Sequence, residues 1–206
     1  MSKKPVIVFE GIEGSGKSFH AKNLSNYLKK KKINHVKLRE PGGSVNSEKI
    51  RKLILNNKSN FNKKTDLLLY LAARSENINK LKKNYKKKLI IIDRFSDSTI
   101  AYQHFGMGVN RSLIEILNKH ILENFKVDFT FLNIVNQSNM IRRLKTRKKL
   151  NRYDKFNLNF YRKVQSGYIK MSKINKKKYK IINSNEDIQK NKKIIIEKIN
   201  QLLKWI

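Results

Sequence analysis

The chain has 206 residues, enough for one α/β domain with a full core and too few for two ordinary ones. It has no cysteine, which excludes disulfide and thiolate chemistry and suits a reducing, cytoplasmic setting. The formal charge of +33 raises nucleic acid as a partner, but lysine runs such as 29–32, 86–88 and 176–178 lack the interleaved aromatics of a stacking platform and read as solvated faces. No apolar run approaches the roughly 20 residues that span a bilayer, and the stretch after Lys3 and Lys4 is too short for a signal peptide. Neither a specific nucleic-acid partner nor a membrane is therefore expected.

Val6 to Glu10 (VIVFE) predicts a buried strand, and FHAKNLSNYLKK beyond it a helix with Phe19, Leu24, Tyr27 and Leu28 along one side. Between them, Gly11, Gly16, Lys17 and Ser18 fit the pattern G-x-x-x-x-G-K-[ST] of a phosphate-binding loop, which encloses Ile12, Glu13, Gly14 and Ser15. Small residues let the backbone wrap a polyphosphate with several N–H groups pointing inward, and the helix N-terminus faces the negative charge. Lys17 would reach the β- and γ-phosphates of ATP, and Ser18 would help hold Mg²⁺. The alternative is a glycine-rich turn with no ligand.

Next come a short strand from Val36 to Arg39, a turn at Pro41, Gly42 and Gly43, and a helix capped by Ser44 or Ser47 that runs through Ile50, Leu53 and Ile54. Asp66 to Leu81 reads as a helix, with Leu67, Leu68, Tyr70, Leu71 and Ile78 as apolar surface. KKKLIIID predicts a buried parallel strand ending on Asp93, where a carboxylate beside a phosphate loop aids Mg²⁺ binding. Leu113 to Phe125 is predicted helical and Val127 to Val135 a strand. Met140 to Lys149 continues as a helix, broken by LNRYDKFN. Phe160 to Ile174 is amphipathic through Phe160, Val164, Tyr168 and Met171; YKIIN is a last strand, and a helix from about Asp187 to Trp205 follows. Alternation of β and α predicts a parallel sheet with helices on both faces and ligands at the strand C-termini. Residues 10–18, 39–43 and 93–103 then share one edge.

Those segments together resemble the thymidylate kinases of the bacterial kind. The matching stretches are FEGIEGSGKS, REPGG followed by Glu48 and Arg51, YLAAR, IDRFSDSTIAYQ, VDFTFLNIV and NRYD. The resemblance implies a P-loop NTPase-like three-layer α/β/α fold with a central, mostly parallel five-stranded sheet, in a single domain over residues 1–206. It also implies transfer of the γ-phosphoryl group of ATP to dTMP, with Mg²⁺, in a homodimer built through helices beside the phosphate loop.

By that resemblance Arg94 would hold the acceptor phosphate, with Arg51 and Arg39 as further candidates; the alternatives are ion pairs of Arg94 with Asp93 and of Arg51 with Glu48. Tyr70, where phenylalanine is usual, and Arg74 would recognise the base beside Pro41, while Thr99 and Gln103 would bond the thymine edge near Ser98. Tyr102 would lie under the sugar, and Glu13 would face the acceptor 3′-hydroxyl and Arg94. One branch of the family carries arginine where this chain has Gly14; the other supplies it from a lid, here roughly residues 145–154. Arg147 is the first choice for that arginine and Arg152 the second, both on the ATP side. His104 and Met107 stand where the family has glycine and arginine, and His104 reads as a loop histidine. Two other readings stay open from the sequence: a kinase with a different monophosphate acceptor, and a nucleic-acid binder whose phosphate loop is structural.

Overall fold

A computed structural model of the chain describes residues 4–204. Five short strands, β1 (Val6–Glu10), β2 (His35–Arg39), β3 (Leu89–Asp93), β4 (Phe129–Ile134) and β5 (Tyr179–Asn183), form one parallel sheet in the order β2-β3-β1-β4-β5. The continuous apolar runs of β1 and β3 are what a strand covered on both faces requires. Alternate residues separate the two faces. Ile7 and Phe9 pack with Leu24 and Leu28 of α1 (Lys17–Lys30) and with Ile195 and Ile199 of α8 (Ile188–Lys204). Val6 and Val8 pack with Ile78 and Leu81 of α3 (Lys63–Asn84) and with Phe95 and Phe125.

The remaining helices are α2 (Val45–Leu55), α4 (Ser96–Thr99), α5 (Arg111–Leu122), α6 (Gln137–Lys145) and α7 (Leu158–Ile174). A π-helical segment, Ile100–Gly106, continues directly from α4. Asparagine side chains cap α3, α5, α6 and α7 at Asn62, Asn110, Asn136 and Asn157 by accepting backbone N–H bonds, and Ser44 caps α2.

Several boundaries and faces differ from the sequence reading. Phe19 is 41% exposed, because the buried stripe of α1 runs through Ala21, Leu24 and Leu28 and leaves position 19 on the far side. Leu53 and Leu68 are likewise exposed. The helix predicted to reach Phe125 ends at Leu122, and Phe125 instead packs against Tyr85 and Phe95. The basic helix begins at its Asn136 cap and stops at Lys145, short of Lys149. Trp205, assigned to the last helix, lies outside the described residues.

Candidate active site

The two neighbours of β1, β3 and β4, carry the chain away in opposite directions across the sheet, so a crevice opens beyond its carboxyl end. There a cleft of about 600 Å³ is lined by Glu13, Lys17 and Ser18 of the loop, Arg39, Pro41 and Arg51, Tyr70, and Asp93, Arg94, Ser98, Tyr102 and Gln103. Arg147, Asn151 and Tyr153 complete the wall.

The loop is built backbone-first. Gly11 has φ +143°, and a Cβ there would sit 2.3 Å from the Asn133 carbonyl oxygen, so only glycine fits. Gly16 is the N-cap of α1 and provides no side-chain cap, which leaves the first N–H groups of that helix to an anion. Lys17 donates to the Ile12 carbonyl oxygen at 3.2 Å, folding back over the loop. Burial and the nearby Arg94 charge depress its pKa to about 8. The loop is braced from behind. Ser184 Oγ donates to Ser15 O at 2.6 Å, and Arg143 donates to Gly14 O at 2.8 Å and to Ser184 O at 2.6 Å. Sequence reasoning missed Arg143, since nothing distinguishes it within a basic helix. Gly14 itself has φ +69°, and its Cβ position is 3.2 Å from the Met140 carbonyl oxygen.

Beside the loop, Arg94 follows β3 with φ +68°, a conformation that costs a non-glycine residue of order 1–3 kcal/mol and marks sites held by their surroundings. Its partners account for it. Arg94 Nη2 donates to Glu13 Oε1 at 2.6 Å and to Tyr102 Oη at 3.0 Å, and Tyr102 Oη donates to Glu13 Oε2 at 2.5 Å. The predicted alternatives are not formed: Arg94 pairs with Glu13 instead of Asp93, and Glu48 pairs with Arg39 at 3.0 Å instead of with Arg51. Arg51 donates to the Pro41 carbonyl oxygen at 2.7 Å. Burial raises the Glu13 carboxyl's pKa, but Arg94 and Lys17 outweigh it and hold the group below its ordinary value. A carboxylate inside a phosphate loop is thus neutralised by a cation on either side.

Tyr70 lines the cleft and meets Tyr153 edge-on at 5.8 Å. Arg74, one turn on, does not line it. Fully buried, it donates to Glu40 at 2.8 Å, Thr99 Oγ1 at 3.0 Å and Asn118 Oδ1 at 2.6 Å. Thr99 therefore stands behind the wall with Arg74, while Gln103 lies at the surface of the cleft and donates to Asp66 at 3.3 Å. Glu40 was not singled out in the sequence, although it sits inside REPGG; its partner is 34 residues away.

In the lid stretch, Arg147 borders the cleft and pairs with the buried Asp154, which also closes a capping box with Asn151. Arg152 is turned elsewhere: it pairs with Asp66 and donates to the Ile54 carbonyl oxygen at 3.0 Å. His104 Nδ1 bonds the Val109 carbonyl oxygen at 2.8 Å within its own loop.

Asp93 Oδ1 is buried without a hydrogen-bond partner and, with Ser18, edges the same cleft beside Lys17. Hard oxygens of this kind suit Mg²⁺. Among the described residues no group of three or more acidic or histidine side chains gathers, so such an ion would draw most of its ligands from phosphate oxygens and water.

A parallel sheet with a glycine loop feeding a helix N-terminus, and a second cationic subsite facing that loop, defines a P-loop phosphotransferase. The family model described as thymidylate kinase matches residues 9–195. The thymidylate kinase of Buchnera aphidicola subsp. Schizaphis graminum is 39% identical over 212 aligned positions, covering 100% of this chain and 98% of that protein. That of Thermosipho africanus is 39% identical over 170, covering 82% and 84%. A crystal structure of thymidylate kinase from Ehrlichia chaffeensis superposes with a TM-score of 0.78 at 31% identity, covering 96% of this chain and 99% of that one. The chain belongs to the thymidylate kinase family.

Proposed function

We infer that the chain transfers the γ-phosphoryl group of ATP to dTMP, giving ADP and dTDP, and so serves dTTP biosynthesis. The observation that carries this is that Lys17 and Arg94 line one cleft, with Glu13 of the phosphate loop paired to Arg94 and under the charge of both. In our reading the loop from Gly11 to Ser18 and Lys17 hold the ATP phosphates, Arg94 holds the acceptor phosphate with Arg51, and Arg147 supplies charge to the transferring group. Glu13 accepts from Arg94 and Tyr102 and so holds both toward the 3′-hydroxyl side of the acceptor. Tyr70 stacks on the base, Gln103 and Ser98 face its polar edge, and Arg74 with Thr99 stiffens that wall from behind. Positioning and charge carry this chemistry, which asks little covalent help of the protein. Ser18 and Asp93 would hold Mg²⁺, which when bound neutralises charge on the phosphates.

Release of ADP measured with dTMP, dUMP, UMP, dCMP and dGMP tests the assignment. The expected order has dTMP first and dUMP below it in kcat/KM by about 10- to 200-fold, the worth of one methyl group in a pocket. Equal rates with all five would remove the dTMP assignment and leave only a kinase.

The pH dependence follows from Lys17. Its ammonium is the binding form, and a pKa lowered to about 8 means that this form is lost as pH rises through 8. The kcat/KM for ATP, which reports free enzyme, is expected to fall above pH 8, whereas kcat holds to higher pH because bound phosphate favours the ammonium. A flat kcat/KM profile between about pH 7 and 9.5 counts against Lys17 as the phosphate ligand.

A single domain over 1–206 and a homodimer belong to the same proposal. Helices α2, α3 and α5 leave Val45, Leu53, Leu68, Leu113 and Ile116 exposed, which supports a dimer contact through these helices, and sedimentation equilibrium tests the dimer. Among the described residues no helix is long and apolar enough to cross a membrane. A cytoplasmic location, which fractionation tests, rests on the lack of cysteine.

A further inference from the structure

Glu10, the last residue of β1, is fully buried just below the cleft and is not among its lining residues. Its carboxylate is nevertheless saturated with donors. Oε1 accepts from the backbone N–H of Phe95 at 2.8 Å and of Ser98 at 3.3 Å. Oε2 accepts from Ser98 Oγ at 2.6 Å and from Tyr168 Oη of α7 at 2.9 Å. Phe95 is the N-cap of α4 and provides no side-chain cap of its own, so the first turn of that helix is satisfied by a carboxylate 85 residues earlier in the chain. Burial, with Asp97 nearby, pushes the Glu10 pKa up to about 7, a rise that the bonds from Ser98 and Phe95 and the Arg94 charge partly offset.

The helix capped in this way is the one that carries the acceptor side of the cleft. Arg94 immediately precedes it, and Ser98, Tyr102 and Gln103 project from it and from its π-helical continuation. At the start of this segment Arg94 sits at positive φ. Glu10 leads directly into the phosphate loop at Gly11, so one residue joins the segment that binds ATP to the segment that binds dTMP.

We propose that Glu10 is a positioning residue for the acceptor: by capping α4 from β1 it fixes Arg94 and Tyr102 relative to the phosphate loop. This rests on the assignment of Arg94 and Tyr102 to dTMP. A purely structural role for Glu10 would disturb the loop next to it at least as much, so the two KM values separate the cases.

The test is steady-state kinetics of Glu10→Leu and Glu10→Gln, with thermal melting to establish folding. Glu10→Leu removes the cap, and the KM for dTMP is expected to rise about tenfold or more, the scale of a lost charge-assisted hydrogen bond, with the KM for ATP within about twofold. Glu10→Gln keeps an accepting oxygen toward Phe95 and Ser98 and is expected to stay within about threefold of the unaltered chain. Equal shifts in both KM values for Glu10→Leu, or none, would overturn the proposal. Should Glu10→Leu fail to fold, Tyr168→Phe decides: it removes one donor to Oε2, and a rise of about threefold in the dTMP KM alone is expected, equal shifts or none being the overturning result. Arg94→Ala measured alongside distinguishes the two failures. If it leaves the dTMP KM unchanged the site assignment falls; if it raises that KM while Glu10→Leu does not, only the role of Glu10 falls.

Discussion

Replacing Arg147 with alanine is expected to lower kcat by about 10³-fold or more while dTMP affinity stays within about twofold, because an arginine that meets only the transferring phosphoryl group is worth 10³ to 10⁵ in rate. Its position suits the role proposed for it. Arg147 borders the cleft on the lid side and is held by Asp154; among the described residues the remaining N–H donors of its guanidinium have no hydrogen-bond partner. No other lid arginine is so disposed, as Arg152 is bound to Asp66 and the Ile54 carbonyl. Rapid-quench measurement of the chemical step, paired with dTMP binding by calorimetry, checks the result. Near-normal kcat in Arg147→Ala would overturn its assignment.

Arg94→Ala should act on the other substrate. Removing one member of a buried, hydrogen-bonded charge pair costs roughly 2–5 kcal/mol, so kcat/KM for dTMP is expected to fall by about 30- to 4,000-fold. The KM for ATP should move by less than about threefold, because Glu13 retains the Lys17 charge on its other side. Folding should survive for the same reason. A uniform loss in both substrates would mean that Arg94 supports the loop and does not bind the acceptor.

Much of this arrangement was legible in the sequence where a single physical signal dominated. The apolar runs of β1 and β3 could be read because strands buried on both faces need no alternation. The phosphate loop could be read because its glycines answer to backbone geometry, as the 2.3 Å approach at Gly11 makes plain. The turn from Ser96 to Gly106 was not legible as helix. Its inward residues Ser98, Thr99 and Gln103 are polar and face the cleft and its supporting bonds, so the apolar periodicity that announces a helix is inverted there. Helix starts were obscured by the abundance of asparagine, which is both a capping residue and a common loop residue in this chain. The pairs Glu40 with Arg74 and Glu10 with Ser98 join residues far apart in the chain, and no local pattern announces such contacts.

Gly14 has a consequence for how this catalyst could change. At φ +69° and with its Cβ position 3.2 Å from the Met140 carbonyl, the loop offers a side chain neither a comfortable backbone nor free space. An arginine grafted there would therefore strain the backbone and press on the Met140 carbonyl of α6, which would have to yield by a few tenths of an ångström. A single exchange does not convert one design into the other. On the reading proposed above, the charge that Gly14 does not supply comes from Arg147, on the stretch that follows α6.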